Sequence, residues 1–371
     1  MNNFSLLKHN TFGIDATCDN FVEYTSVDEL QGILEPLLAS GQRWMHIGGG
    51  SNLLFLCEHY DGTILHSKIK GIEVCDEDDD CVILRVGAGE DWDEFVDYCI
   101  KHGWYGLENL SFIPGEVGAS AVQNVGAYGM EAGNLIETVE GLLIGSDVRN
   151  NASAVLNGEE YAPSADAECT VSATVIDHAD CNYAYRSSVF KHELKGRFIV
   201  THVWYRLNKT FSPIMTHAAV TRLLEAKGID PQDCTAQQVR DAIIEVRKSK
   251  LPDPKEIGSA GSFFMNPVVS KEKADELLVE YPNMPHYPAP LADKDGNTTD
   301  GVKIPAGWLI EQCGWKGKRQ GPVGVHPLQA LVLINCGGAK GSDVEHLAFT
   351  IQADVRQKFG IEIHPEVLFI Q

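Results

Sequence analysis

Apolar residues recur at helical spacing in several segments of the chain, and this spacing predicts amphipathic α-helices. Polar residues fill the other face of each segment, as expected for helices that cover a core. The segments are Ser26 to Leu38, the stretch after Asp91, Thr216 to Leu224, Thr235 to Lys248, Lys271 to Tyr281, Ala306 to Cys313 and Ser342 to Phe359.

Residues at the ends of these segments favour defined helix termini. Thr235 with Gln238 resembles a capping box, and Ser342 with Glu345 is expected to cap the last helix. Gly360 follows that helix and is expected to end it. Ser26 is expected to cap the first helix.

Alternating or continuous apolar runs between the helices predict β-strands. The strands expected are Trp44 to Ile47, Ile64 to Ile72, Cys81 to Val86, Phe198 to Leu207, Ala330 to Asn335 and Glu366 to Gln371. Tyr281 to Thr299 is rich in Pro and Asn and is interpreted as a connection. This mixture of helices and strands predicts an α+β fold.

Gly145 to Asp180 has few large apolar residues and is rich in Ala, Ser, Asn, Asp and Glu. Such a composition cannot bury much apolar surface. We interpret about 147–181 as a surface insertion with weak structure.

Two glycine-rich segments are the main candidates for function. Phe112 to Glu131 reads FIPGEVGASAVQNVGAYGME, and His46 to Leu54 reads HIGGGSNLL. So many small residues disfavour a helix or strand interior and favour a tightly turning backbone that approaches a flat or anionic group. Gln123 and Asn124 could hydrogen-bond beside it. An ordinary surface loop is the alternative, but the two segments together favour a large phosphate-bearing cofactor.

Other nucleotide-binding motifs do not fit. No Lys-Ser/Thr follows the glycines of His46 to Leu54, so that segment is not a P-loop. No GxGxxG motif opens a helix, so a Rossmann dinucleotide site is not predicted. The ten cysteines include no CxxC pair, so neither a metal site nor a redox dithiol is predicted.

The chain has 371 residues and a net charge of −22, which argues against a nucleic-acid partner. An anionic substrate would need local cations, such as those of Arg247 to Lys255 or Lys316 to Arg319, although either cluster could be a solvated surface. No apolar run suits a membrane span, and the first residues do not resemble a secretory signal. A cytoplasmic protein is therefore expected.

Several motifs occur in one order and carry a specific resemblance. They are GGGSNLL, IPGEVGASAVQNVGAYGME, YRSSVFK (Tyr185 to Lys191), KLPDPK (Lys250 to Lys255), GSFFMNP (Gly261 to Pro267) and HPEVLFI (His364 to Ile370). Together they resemble the UDP-N-acetylenolpyruvoylglucosamine reductase family of flavoenzymes, and the AYG and YRSSVFK segments resemble its first type. The match runs from about residue 5 to the C-terminus and is weakest in the insertion.

The resemblance implies a vanillyl-alcohol-oxidase-type flavin fold with non-covalent FAD, NADPH as reductant and a UDP-sugar substrate. It implies FAD-binding parts at 1–70 and 71–255, a substrate-binding domain at 256–358, and a C-terminal strand at 359–371 that returns to the FAD-binding region. A monomer is expected. The implied reaction, a step of peptidoglycan precursor synthesis, reduces an enolpyruvyl ether to a lactyl ether.

The resemblance also assigns roles to residues. Arg186 would bind the substrate carboxylate, Ser262 would protonate the neighbouring carbon, and Glu366 would stabilise the enolate together with Arg186. A structural ion pair, a loop serine and a strand-edge carboxylate are the respective alternatives.

Binding roles follow from the same motifs. The implied FAD-binding residues are Ile47, Gly48, Gly49, Gly50, Ser51, Asn52, Leu53, Pro114, Gly115, Gly118, Ala119, Gln123, Asn124, Gly126, Ala127, Tyr128, Gly129 and Arg247. The implied substrate-binding residues are Tyr185, His217, Lys250, Asn266, Lys316 and Gln329.

The chain departs from the family pattern at two positions near the site. His217 stands where a Tyr is expected, and Met265 where a Lys is common. Two alternatives stay open: another FAD-linked dehydrogenase or oxidase of the same fold, and a flavin-binding protein without catalysis.

Overall fold

The structure, a computed structural model, describes residues 3–145, 170–292 and 298–371. Its helices are α1 (Val27–Ala39), α2 (Trp92–Lys101), α3 (Val117–Gln123), α4 (Ala218–Ala226), α5 (Ala236–Lys248), α6 (Lys271–Glu280), α7 (Ala306–Gln312) and α8 (Gly341–Phe359). Among the described residues, no helix combines the length and apolar character needed to cross a bilayer.

Short and medium-length strands alternate with these helices, which confirms the α+β prediction. They are β1 (Phe4–Ser5), β2 (Thr17–Tyr24), β3 (Trp44–Ile47), β4 (Leu53–Phe55), β5 (His59–Ser67), β6 (Ile72–Glu77), β7 (Cys81–Gly87), β8 (Gly126–Ala127), β9 (Met130–Glu131), β10 (Ile136–Ile144), β11 (Val171–Asp177), β12 (Phe198–Asn208), β13 (Val268–Ser270), β14 (Tyr287–Ala292), β15 (Thr298–Lys303), β16 (Arg319–Gln320), β17 (Val323–Val325), β18 (Leu333–Asn335) and β19 (Leu368–Ile370).

The chain divides into two compact units, and each unit is formed by three separate stretches of the sequence. The first unit comprises Met1–Phe4, Cys18–Gly49 and Asp61–Arg247, and the second comprises Ser5–Thr17, Gly50–Tyr60 and Lys248–Gln371. The finer division into FAD-binding and substrate-binding parts stays a prediction.

The first unit is built around an antiparallel sheet of strand order β11-β10-β12-β7-β6. Trp92 and Phe95 of α2 are buried in its core beside Tyr205 of β12. The Tyr205 hydroxyl lies 2.7 Å from Ser120 Oγ of α3. These contacts hold α2, and the helix α3 of the second glycine-rich segment, on one rigid sheet.

A four-stranded sheet of order β1-β2-β5-β3 has β3 and β5 parallel. Leu30 and Leu34 of α1 pack in a core with Tyr24 of β2 and Leu65 of β5. The Ser26 hydroxyl accepts a hydrogen bond from Glu29 N–H, which confirms the predicted cap.

The second unit contains two three-stranded antiparallel sheets, β13-β15-β14 and β16-β17-β18. Strand β19 pairs in parallel with β4, so Ile370 lies opposite Phe55. The expected final strand is therefore present, and it pairs with the strand that follows the first glycine-rich segment.

Several sequence expectations were wrong in detail. Residues 171–177 form β11, because its backbone pairs with β10 although its side chains are mostly small or polar, whereas 147–169 lie outside the described residues. Residues 287–292 and 298–303 form the paired strands β14 and β15 rather than a plain connection. Helix α8 begins one residue before Ser342, where Lys340 N–H donates to Asp343 Oδ2 at 2.9 Å.

Candidate functional site

The two glycine-rich segments lie against each other within the first unit. A Cβ added at Gly48 would lie 3.3 Å from Glu116 Oε2 and 3.5 Å from Ala119 Cβ. One added at Gly49 would lie 3.4 Å from Gly115 Cα. Glycine permits this close approach of two backbones, which a larger residue would push apart. The structure therefore places the two segments side by side, and their common role at one cofactor stays a prediction.

The first segment continues into the second unit at Gly50. Gly50 has φ +68°, and a side chain there would collide with the His9 carbonyl. Asn52 Nδ2 donates to the Glu366 carbonyl at 3.1 Å, and Leu368 N–H donates to the Asn52 carbonyl at 3.0 Å. Asn52 therefore fixes the backbone around Glu366. The flanking predicted residues have ordinary places: Ile47 ends β3, Ser51 lies in the turn and Leu53 opens β4.

The second segment contains a short helix, α3, although its glycines were expected to disfavour one. Its alanines favour the helix, and Gly118 permits close packing because an added Cβ would lie 2.8 Å from Ala88 Cβ. Before the helix, Pro114 is exposed and the Gly115 carbonyl accepts a hydrogen bond from Trp92 N–H at 3.1 Å.

Gln123 and Asn124 at the end of α3 differ in their surroundings. Asn124 is fully buried with φ 43°. Its side-chain Nδ2 donates hydrogen bonds to Glu131 Oε2 and the Ala184 carbonyl, and its Oδ1 accepts one from Gly133 N–H. Gln123 Oε1 is buried and has no hydrogen-bond partner among the described residues. Asn124 thus holds the protein's own backbone, whereas Gln123 can accept a hydrogen bond from a ligand.

The turn after β8 holds Tyr128 at φ 51° and Gly129 at φ +85°. Burial raises the pKa of Tyr128, and its contact with Arg247 opposes that rise. The rings of Tyr128 and His217 meet edge to face with centroids 4.8 Å apart. His217, where the sequence resemblance leads us to expect a Tyr, therefore lies beside the second glycine-rich segment.

Arg186 lies in the first unit with a left-handed backbone of φ 56°. Its Nη2 donates to the Gly126 carbonyl at 2.9 Å, next to Ala127 in β8. The guanidinium carbon lies 5.5 Å from the centre of the Tyr185 ring, which is 40% exposed. A strained backbone that presents a cation beside an exposed aromatic ring is typical of a binding site.

Ser262 and Glu366 belong to the second unit and occupy neighbouring extended segments. Glu366 N–H donates to the Phe263 carbonyl at 2.8 Å, and Met265 N–H donates to the His364 carbonyl at 2.9 Å. Ser262 is exposed and pairs with Val332 on its other side. The pairing brings the GSFF and HPEV motifs together, although they are far apart in sequence.

The other predicted substrate residues of the second unit have protein contacts of their own. Asn266 Oδ1 accepts from Ala306 N–H at 2.9 Å, and Gln329 Oε1 accepts from Leu331 N–H at 3.2 Å. Lys316 Nζ pairs with Glu311 at 2.9 Å, and Lys250 is exposed. Their substrate roles stay predictions.

Sequence reasoning missed polar residues that support the glycine-rich segments. His66 is buried and bonds Glu116, and Arg240 is buried and bonds Asp93. Glu116 stands inside a motif and could have been found there, whereas Asp93 and Arg240 lie in amphipathic helices and His66 lies in a mostly buried strand.

The residues present fit a flavin nucleotide. The glycines bring two turns of backbone together without intervening side chains, and the buried Gln123 Oε1 is an acceptor that a bound group can satisfy. Residues 18–144 match the family described as "FAD binding domain". The cofactor of this chain is therefore FAD.

Comparison with known proteins extends the match over the rest of the chain. Residues 253–370 match the family described as "UDP-N-acetylenolpyruvoylglucosamine reductase, C-terminal domain". The UDP-N-acetylenolpyruvoylglucosamine reductase of Bacteroides fragilis strain YCH46 is 50% identical over 371 residues, covering 99% of each chain. That of Porphyromonas gingivalis strain W83 is 46% identical over 367 residues, covering 99% of this chain and 98% of the relative.

The fold is shared with a solved structure. The UDP-N-acetylenolpyruvylglucosamine reductase from Thermus caldophilus superposes with a TM-score of 0.62 at 18% identity, covering 100% of this chain and 98% of that one. The chain is an FAD-dependent oxidoreductase, and it belongs to the UDP-N-acetylenolpyruvoylglucosamine reductase family.

Proposed function

We propose that this protein uses NADPH and FAD to reduce UDP-N-acetylglucosamine enolpyruvate to UDP-N-acetylmuramate, a precursor of peptidoglycan. The names of its relatives support the substrate and the reaction class. When bound and reduced by NADPH, FAD would supply the hydride that saturates the vinyl carbon. We expect the enzyme to act as a monomer in the cytoplasm.

The chain's own residues have three tasks in this proposal. The Arg186 guanidinium binds the substrate carboxylate and offsets the negative charge that develops there. Glu366 stabilises the enolate together with Arg186, through a proton or another hydrogen-bond donor shared between its carboxyl group and the enolate. The Ser262 hydroxyl donates a proton to the carbon next to the carboxylate, so that one hydride and one proton complete the reduction.

The observation that carries the proposal is the pairing of GSFF with HPEV. In this pairing the Phe263 carbonyl accepts a hydrogen bond from Glu366 N–H, and Ser262, the residue before Phe263, is exposed. Asn52 fixes the same backbone through the Glu366 carbonyl. A proton donor needs this kind of rigid support, because small displacements of a reacting group cost large factors in rate.

Binding residues complete the proposal. Gly48 to Leu53 and Pro114 to Gly129 contact FAD, with Arg247 beside them. Tyr185, His217, Lys250, Asn266, Lys316 and Gln329 contact the UDP-sugar.

The test is NADPH oxidation by the purified holoprotein with and without the enolpyruvyl substrate. The wild-type protein is expected to oxidise NADPH continuously only when the enolpyruvyl substrate is present. Ser262→Ala is expected to lose substrate-dependent turnover while NADPH still bleaches its flavin. Ser270→Ala, which removes a helix-capping hydroxyl from the same unit, is the matched control and is expected to turn over normally.

Flavin reduction by NADPH without any response to this substrate would contradict the proposed reaction and favour another FAD-linked dehydrogenase. Normal turnover in Ser262→Ala would contradict the role of the serine alone.

A further inference from the structure

The second glycine-rich segment begins at a residue with an unusual backbone. Phe112 has φ 60°, in the left-handed region that bulky residues rarely adopt, and its side chain is 39% exposed. Ile113, Pro114 and Gly115 follow it directly. The direction of the chain into the flavin-binding segment therefore depends on this one conformation.

Both backbone polar groups of Phe112 are held by charged side chains. Its N–H donates to Asp93 Oδ1 at 2.5 Å, and its carbonyl accepts from Arg247 Nε at 2.9 Å. Asp93 belongs to the first turn of α2, and Arg247 to the last turn of α5. Two helices thus bind opposite sides of a single residue.

Arg240 fixes the carboxylate that binds Phe112. Its Nη1 and Nη2 donate to the two Asp93 oxygens at 2.5 and 3.0 Å, and its Nε lies 3.1 Å from Asp97 Oδ1. Arg240 is 7% exposed, so it is desolvated and held in one geometry. It lies about two helical turns before Arg247 and so shares the same face of α5.

The first residues of α2 hold the same segment at two further points. Trp92 Nε1 donates to the Leu110 carbonyl at 3.0 Å, and Trp92 N–H donates to the Gly115 carbonyl at 3.1 Å. The backbone from Leu110 to Gly115 is therefore fixed on both sides of Phe112, and the left-handed conformation at Phe112 connects the two fixed points.

We propose that Asp93 and Arg240 are positioning residues for the flavin site. Their bidentate pair presents one carboxylate oxygen to Phe112 N–H, holds Phe112 in the left-handed conformation, and thereby aims the Pro114–Gly115 turn at FAD. The inference rests on FAD binding by this chain and not on the proposed substrate reaction. The tests below measure the rate of FAD release from the holoprotein, which can be determined even if the proposed substrate reaction does not occur.

The first test changes Phe112 itself and leaves the ion pair untouched. Asn tolerates the left-handed region, whereas a β-branched residue does not. We expect Phe112→Val to release FAD about tenfold faster after dilution, measured by the recovery of flavin fluorescence, and Phe112→Asn to release it at the wild-type rate. Equal release from both variants would overturn the proposal.

The second test separates positioning from the stability of the helix pair. Asp93→Ala is expected to release FAD about tenfold faster, as for the loss of one charge-assisted hydrogen bond. Asp97→Ala is the matched control, because it removes the other carboxylate bound to Arg240, one turn along α2 from the carboxylate that binds Phe112. The control is expected to keep the wild-type release rate.

A double variant completes the test. Adding Phe112→Asn to Asp93→Ala is expected to restore slow release, because the substituted residue adopts the left-handed region without its partner. Failure of this rescue, or equally fast release from Asp93→Ala and Asp97→Ala, would mean that the network only stabilises the two helices.

Discussion

His66 Nε2 lies 2.8 Å from Glu116 Oε1, and this contact joins β5 to the second glycine-rich segment. His66 pairs through its backbone with Ile47 of the first segment, and its Nδ1 lies 3.1 Å from Glu23 Oε1. The imidazole therefore connects the supports of both glycine-rich segments.

Removing the buried partner of His66 should destabilise the protein more than removing the exposed one. The Glu116 side chain is 13% exposed and that of Glu23 is 46% exposed. We expect Glu116→Ala to lower the free energy of unfolding by about 2–3 kcal/mol and Glu23→Ala by less than about 1 kcal/mol. Chemical denaturation at one saturating FAD concentration measures both, and equal losses would contradict the prediction.

The substitution Gly→Ala should have opposite effects in two helices. At Gly118 of α3 the new Cβ would lie 2.8 Å from Ala88 Cβ, whereas at Gly32 of α1 it would meet nothing within 4 Å. We expect Gly118→Ala to destabilise by about 1–3 kcal/mol and Gly32→Ala to stabilise by about 0.5–1 kcal/mol. The free energy of unfolding of each variant is compared with wild type.

A compensating change tests the cause of the loss at Gly118. Ala88→Gly removes the atom that the new methyl group would meet, so the double variant is expected to recover part of the stability. If the double variant recovered no stability, the contact with Ala88 Cβ would not be the cause of the loss.

Glu108 makes stability depend on pH. Burial raises its pKa above the usual 4.5, and a hydrogen bond from Gly106 N–H opposes that rise. A carboxyl group whose pKa is raised on folding stabilises fully below its unfolded pKa and loses that contribution as pH rises through its folded pKa. Relative to wild type, Glu108→Gln should therefore gain stability as pH rises above about 4.5. Denaturation at a series of pH values measures this gain, and Glu225→Gln on an exposed position of α4 should show no such trend.

Arg186 is expected to act in turnover rather than in flavin binding. Arg186→Met should lower kcat/KM for the enolpyruvyl substrate by about 10²–10³, and Arg186→Lys by less because it retains a charge without the planar fork. Arg206→Met, which removes an exposed cation of β12, is the control. Steady-state rates and the flavin absorption spectrum of each variant are compared. Wild-type turnover in Arg186→Met would refute the role.

The sequence was most informative where local chemistry decides the structure. Ser26 accepts the expected capping bond, and Thr235 and Gln238 form the predicted box. The glycine-rich segments were also recognised, because close backbone approach leaves a compositional trace. These features depend on residues within a few positions of one another.

Features that depend on distant pairing were not predictable in this way. Strand β11 forms because β10 supplies backbone partners, which its own composition does not reveal. Likewise, the buried Arg240 resembles any helical surface cation until the fold brings Asp93 to it. Both depend on tertiary contacts that a local pattern cannot specify.

The parallel pairing of β4 with β19 affects how the protein is made. Asn52 and the Glu366 carbonyl that it binds are separated by 314 residues. Translation proceeds from the N-terminus, so β4 emerges from the ribosome long before its partner strand exists. The structure around the first glycine-rich segment can therefore be completed only after residues 366–370 have been synthesised. Until then the edge of β4 that pairs with β19 stays without that partner strand.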